Sequence, residues 1–260
     1  MLLEGRTVIV SGIGPGMWRD ISLLCAEHGA NVVLASRTAS KLEEVAEEIR
    51  SLGRQALCVP TDVTDSAQCE ALAGAAVAEF GRIDAVVNNA FKQPPFERII
   101  DLPIETWEES VLFNCTAAMQ VTKAALPQMI KQQKGSVVMI NTMSIRRTEP
   151  FFGAYAAAKS ALFSFARTLA NEVGSDGIRV NSVAPGYIWG PSVKWYFETQ
   201  AEQRGIAFDE VKKEITDQIA LRHIPDSREI SGAVIFLASD LSSAVTGATI
   251  DANGGHYMHF

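Results

Sequence analysis

The sequence predicts an α/β fold, a doubly wound parallel sheet of about seven strands with helices on both faces. Short apolar, β-branched runs alternate with amphipathic runs along the whole chain. The strand runs are continuously apolar, as burial on both faces of a parallel sheet requires. No linker, low-complexity tract or internal repeat interrupts the alternation, so residues 1–260 read as one domain.

The strands are expected at Thr7–Val10, Asn31–Ala35, Ala56–Val59, Ile83–Val87, Ser136–Ile140, Ile178–Val183 and Ala248–Asp251. After the second, Ser40 and Glu43 stand at capping-box spacing, and Leu42, Val45, Ile49 and Leu52 follow on one helical face. Asp65 is placed to cap the next helix, which Gly81 ends after Phe80. The aromatic-rich segment Tyr187–His223 is longer than a plain connection in a compact domain and reads as a lid.

Composition narrows the function classes. Hydrophobic residues make up 47% and charged residues 20%, which excludes a disordered or fibrous chain. Thirty acidic against 23 basic side chains give a formal charge of −7. With no Lys/Arg cluster, that balance argues against nucleic acid and anionic membrane as partners. Cys25, Cys58, Cys69 and Cys115 form no C-x-x-C pair and the histidines no H-E-x-x-H, so no metal site is expected. The N-terminus turns polar at once, unlike a signal peptide or membrane span, and a soluble cytoplasmic protein is expected.

Chemistry is expected where strands end. The first strand runs into Ser11-Gly12-Ile13-Gly14-Pro15-Gly16-Met17-Trp18 and then a helix. Glycines there let the backbone approach a pyrophosphate, whose charge is stabilised by the helix N-terminus; taken alone, the turn is equally a tight turn needing positive φ. After the second strand, Ser36 leaves the adenosine ribose uncharged where an acidic residue would select NAD, and Arg37 offers a planar cation to a 2′-phosphate. A solvated arginine at a strand end is the competing explanation. Asp62-Val63 and Asn88-Asn89-Ala90 end the third and fourth strands at the same edge.

Farther along, Tyr155 and Lys159 stand four residues apart on one helical face. An ammonium roughly 5 Å from the phenol, at an effective dielectric near 20, favours phenolate by about 3 kcal/mol, or about two pK units. That brings a tyrosine into the range of efficient acid–base work.

Together these segments, with Asn114, Pro185-Gly186 and Asn253-Gly254-Gly255, closely resemble the short-chain dehydrogenase/reductase family over nearly the whole chain. The resemblance implies a Rossmann-like fold and an Asn–Ser–Tyr–Lys tetrad. Tyr155 and Lys159 match directly, and Asn114 matches the asparagine that holds a proton-relay water. The family's serine stands thirteen residues before the tyrosine and twenty-eight after the asparagine; both counts land on Thr142, and Ser144 fails both. Threonine keeps the hydroxyl that polarises a carbonyl.

The resemblance further implies a nicotinamide cofactor, NADP(H) favoured and NAD(H) second. Gly12, Ile13, Gly16, Met17, Ser36, Arg37, Asp62, Val63, Asn89, Ala90, Tyr155, Lys159, Pro185, Gly186 and the Ile188 backbone N–H would hold it. A ketone or secondary alcohol, bulky and hydrophobic, is expected among Phe91, Met143, Ser144, Phe152, Trp189 and Trp195, with Arg146 or Arg147 able to receive a carboxylate. A homotetramer or homodimer is implied, with the helix from Trp107 onward in the interface. Three departures from the family pattern, Trp18 and Phe91 for glycine and Gly190 for threonine, support a second reading: a catalytically silent cofactor-binding sensor or scaffold. Trp18 in particular is expected to weaken cofactor binding, so that Trp18→Gly would tighten it and add stability.

The cofactor reading has a direct test. NADPH is expected to bind more tightly than NADH, and Arg37→Ala to narrow the gap by weakening only the phosphorylated form; titration calorimetry giving equal affinities in the unmutated protein would end the idea.

Overall fold

The computed structural model describes residues 1–12 and 16–258. Its strands are β1 (Thr7–Ser11), β2 (Asn31–Ser36), β3 (Ala56–Pro60), β4 (Ala85–Asn88), β5 (Gly135–Ile140), β6 (Ile178–Pro185) and β7 (Thr249–Ala252). They pair in parallel in the order β3-β2-β1-β4-β5-β6-β7. All seven expected strands form. The largest shift is at β4, because both backbone polar groups of Ile83 are taken by the Gln132 side-chain amide, the N–H donating at 3.0 Å and the C=O accepting at 2.8 Å.

The five inner strands bury both faces, which explains their unbroken apolar runs, while the edge strands β3 and β7 are only partly buried. On one face Val8, Val10, Leu34, Val87 and Val138 pack against α1 (Met17–Glu27), α2 (Ala39–Ser51) and α9 (Ser227–Ala238). On the other, Ile9, Val33, Val86, Val137 and Met139 pack against α3 (Ser66–Phe80), α5 (Ala117–Gln132) and α6 (Gly153–Val173). Strand order reverses between β1 and β4, and such a reversal opens a crevice at the C-terminal edge.

The helix boundaries test the local readings. Asp65 caps α3, accepting from the N–H groups of Ala67 at 2.9 Å and Gln68 at 3.2 Å, and Gly81 ends it at φ 73°. The Ser40/Glu43 box does not form. Thr38 donates its N–H to Ser36 Oγ at 3.3 Å, so the chain turns directly off β2 and the helix begins at Ala39. Glu43 instead pairs with Arg50 and accepts from the Cys58 thiol.

The long segment after β6 folds as α7 (Pro191–Arg204) and α8 (Phe208–Gln218) around a small core of its own. Phe197 is its fully buried centre, ringed by Tyr187, Trp189, Tyr196 and Phe208.

Trp18 corrects the sequence reading. Only 3% exposed, it lies in the core layer with Ile21, Leu34 and Ile230, where the indole fills space rather than displacing a helix. Trp18→Gly is therefore expected to destabilise, by about 3–5 kcal/mol for the vacated core volume and about 1 kcal/mol for glycine inside a helix. Thermal unfolding without cofactor measures this, and an unchanged or raised Tm would refute it.

Candidate active site

Glycine is required at two points of the C-terminal edge. Gly12 has φ 97°, and a Cβ there would stand 2.2 Å from the Cα of Ala90, so the chain just past β1 lies directly on the second residue beyond β4. At Gly186 a Cβ would stand 2.9 Å from the Cβ of Asn253 and 3.3 Å from the Met143 sulfur. Gly16, at φ 108°, precedes α1, whose first N–H groups receive no side-chain cap. An uncapped helix N-terminus beside a close-packed glycine turn fits a dinucleotide pyrophosphate. Met17 is buried in the first turn of α1, and Ile13 lies outside the described residues.

The rest of the expected cofactor set lies along the same edge. Ser36 is buried at the end of β2 and Arg37 beyond it is exposed, its guanidinium 6.0 Å from the centroid of the Phe113 ring. Asp62 accepts from the N–H of Thr64 at 2.9 Å and its hydroxyl at 2.7 Å. Those bonds, with a smaller pull from Arg37, hold its carboxyl below the usual range. Val63 is buried; Asn89 donates its N–H to the Ser11 carbonyl at 3.0 Å, and Ala90 follows. Pro185 ends β6, and Ile188 packs against the core two residues past Gly186.

Thr142, Tyr155 and Lys159 come together where β5 ends and α6 begins. Thr142 lies just past β5, and its hydroxyl is near enough to the Tyr155 phenol to favour the charged form. Lys159 is 2% exposed and donates from Nζ to the Ile140 carbonyl at 2.8 Å. Electrostatics here run against the sequence expectation. Burial, eased only by the Thr142 hydroxyl, pushes the phenol up to about 12. Burial also brings the Lys159 ammonium down to about 8, opposed only by the nearby Cys115, so desolvation dominates at both groups.

Asn114 lies in a π-helical turn, Leu112–Thr116, between α4 (Ile104–Val111) and α5. Its amide accepts from the Lys92 N–H at 3.1 Å and donates to the Lys92 carbonyl at 2.8 Å, so it anchors the segment that follows β4.

An apolar cleft of about 540 Å³ opens between that segment, the start of α6 and the lid. Phe91, Phe152 and Trp195 line it as expected from sequence, joined by Phe96, Tyr187 and Tyr196. Phe96 meets Phe152 edge-to-face at 5.0 Å. Three expected residues do not line it. Met143 is buried against Gly186, and Ser144 turns toward Thr142. Trp189 is pinned by its N–H, which donates to Pro225 at 2.8 Å, and packs on Phe197 with the Lys212 ammonium 4.6 Å from its ring. Tyr196 and Val193 were legible only as members of the lid, since a helix's facing side depends on tertiary packing. Both arginines are already engaged: Arg146 pairs with Asp251, while Arg147, a third exposed, pairs with Glu149 at 3.2 Å and reaches His256 at 2.6 Å. Among the described residues no group of three His, Cys, Asp or Glu side chains is placed to hold a metal.

Comparison with known proteins agrees with this architecture. Residues 10–257 match the family model described as Enoyl-(Acyl carrier protein) reductase. The chain is 32% identical to a short-chain type dehydrogenase/reductase of Sinorhizobium fredii, with 100% of both chains covered. Among solved structures it is similar to NAD+-bound xylitol dehydrogenase, at TM-score 0.91 and 28% identity over 98% of this chain and 100% of that one. It is also similar to a 7α-hydroxysteroid dehydrogenase complexed with NADH and 7-oxo glycochenodeoxycholic acid, at TM-score 0.87 and 27% identity over 97% and 94% of the two chains. Agreement over the full length, in sequence and fold alike, makes this protein a member of the short-chain dehydrogenase/reductase family and an oxidoreductase that uses a nicotinamide cofactor.

Proposed function

We propose that the protein interconverts a bulky, hydrophobic ketone and its secondary alcohol, with NADP(H) favoured and NAD(H) second. The observation that carries this reading is the buried Lys159 ammonium on the Ile140 carbonyl, with Thr142 just past β5 and Tyr155 one helical turn before the lysine, near a cleft that Phe152 and other aromatic rings wall. The cofactor preference rests on Ser36 and Arg37. The silent-scaffold alternative loses its main support, since Trp18 packs in the core. Homodimer or homotetramer formation through α4 and the turn that follows it, where Ile104 and Leu112 are exposed, and a cytoplasmic location complete the reading.

The bound nicotinamide supplies hydride in reduction and accepts it in oxidation. The turn at Gly12 and Gly16, the edge residues Ser36 to Ala90, and Pro185 to Ile188 would hold the dinucleotide. In the reductive direction Tyr155 enters protonated and gives its phenol proton to the carbonyl oxygen. Thr142 donates a hydrogen bond to that oxygen as negative charge develops. Lys159, when charged, stabilises the phenolate left behind, and Asn114 fixes the Lys92 backbone beside the path by which the phenol is reprotonated. The cleft excludes water and orients the ketone through ring contacts. A panel of acetone, acetophenone and 1-tetralone, followed by loss of NADPH absorbance, is expected to rank rates in that order; preference for acetone would overturn the substrate reading.

Thr142→Val keeps shape and volume while deleting the hydroxyl. An oxyanion donor is typically worth about 2.7–4 kcal/mol, so kcat is expected to fall on the order of a hundredfold or more with cofactor affinity nearly unchanged. A loss below tenfold would remove Thr142 from the role.

The proton states set the pH dependence. Tyr155, raised to about 12, stays protonated through neutral pH, whereas Lys159, lowered from 10.5 to about 8, loses its charge above that point. Reductive kcat is therefore expected to hold level up to about pH 8 and fall above it. The stability effect has the opposite sign. Between about 8 and 10.5 the unfolded chain binds more protons at Lys159 than the folded one, so this group's contribution to stability rises with pH across that window. Comparing Lys159→Met with the unmutated protein in pH-dependent unfolding isolates it; an unchanged difference between the two across the window would contradict the assignment.

A further inference from the structure

We propose that Ser144 is a positioning residue for the reaction, a second hydroxyl that orients and polarises Thr142; the inference rests on Thr142 being the hydrogen-bond donor to the carbonyl. Beyond β5 the chain makes one 3₁₀ turn, Met143–Ile145, with Thr142 at its N-cap. That turn brings Ser144 back over the preceding side chain, an arrangement typical of Ser and Thr at turn starts. Thr142 Oγ1 is then engaged twice by one residue: it accepts the Ser144 N–H at 3.3 Å, and its own hydroxyl donates to Ser144 Oγ at 3.3 Å. It also meets the Tyr155 phenol.

A hydroxyl carries a single proton, and Thr142 has three claims on it: Ser144, Tyr155 and the substrate oxygen. With the proton turned to Ser144, none is left for a carbonyl. Both contacts are long for hydroxyl hydrogen bonds, so a rotation about the Cβ–Oγ bond releases the proton at little cost. The β-branched side chain of Thr142 meanwhile restricts χ1 and keeps its oxygen beside Ser144.

When Thr142 turns its proton to the substrate, the direction of the pair reverses. Among the described residues Ser144 Oγ bonds only Thr142, and its proton can be donated to the lone pair that Thr142 exposes. The order Ser144 to Thr142 to carbonyl oxygen aligns two O–H dipoles toward the developing charge, and each donor is strengthened by the one behind it. No covalent bond forms or breaks in this step; each proton stays on its own oxygen. Ser144 touches neither substrate nor cofactor, and acts through Thr142.

The test is a double-variant cycle in the full-length protein with NADPH and the fastest ketone of the panel above. Ser144→Ala is expected to lower kcat about three- to tenfold, the range for one lost neutral hydrogen bond, with KM and Tm unchanged. Ser144→Thr, which restores a hydroxyl, is expected to recover activity to within about twofold. In the Thr142→Val background, adding Ser144→Ala is expected to change nothing further, because the residue through which it acts is gone. Fully additive losses would show that Ser144 acts independently and would overturn the proposal. A silent Ser144→Ala beside a crippling Thr142→Val would also overturn it, while leaving the assignment of Thr142 intact. A silent Thr142→Val would remove both.

Discussion

Everything at the C-terminal edge depends on how closely the turn after β1 approaches the end of β4. A single Cβ at Gly12 would collide with the backbone of Ala90, so the two strands on either side of the topological reversal meet across a gap only glycine permits. That contact fixes how close Gly12, just past β1, stands to the segment after β4. Asn114 then holds that segment from the far side, through two hydrogen bonds to Lys92. Gly12 and the aromatic cleft thus share one strut, the stretch from Asn89 to Phe96.

Burial is the second organising force, and at the reacting groups it opposes charge. Lys159 and Tyr155 are both shifted toward their neutral forms, the lysine down and the phenol up. A neutral phenol is the form that can give a proton away, so the protein alone is poised as an acid. A dicationic or zwitterionic site would need more compensating partners than the Ile140 carbonyl and the Thr142 hydroxyl provide.

Much of the fold could be read from the chain because parallel strands buried on both faces leave an unmistakable run of apolar residues, and Asp65 and Gly81 mark a helix by purely local chemistry. What failed locally failed for tertiary reasons. Ser40 and Glu43 have capping spacing, but the turn off β2 starts the helix earlier. Trp18 looked intrusive beside the glycine turn because sequence does not show the cavity that receives it. In the site, the family resemblance pointed to Thr142, whereas the side on which Trp189 lies depended on a backbone hydrogen bond to Pro225 thirty-six residues away. The charge balance between Tyr155 and Lys159 was misjudged for a related reason. Distance can be guessed from a helical repeat, but solvent exclusion is a property of the whole fold.

The π-helical turn at Leu112–Thr116 has a consequence for how this region tolerates length changes. It is, in effect, a helix carrying one residue more than an α-helical path requires, and Asn114 sits at its centre. Removing one residue of the turn would straighten it into regular α geometry and erase the bulge that aims Asn114, whereas removing or adding one residue beyond it would rotate everything on one side by about 100° relative to the other. Asn114 would then face away from Lys92, or α5 would present a different stripe to β4 and β5. Insertions and deletions here are therefore not the silent events they are in most surface helices: the register of α5 and the aim of Asn114 are locked together by a single surplus peptide unit.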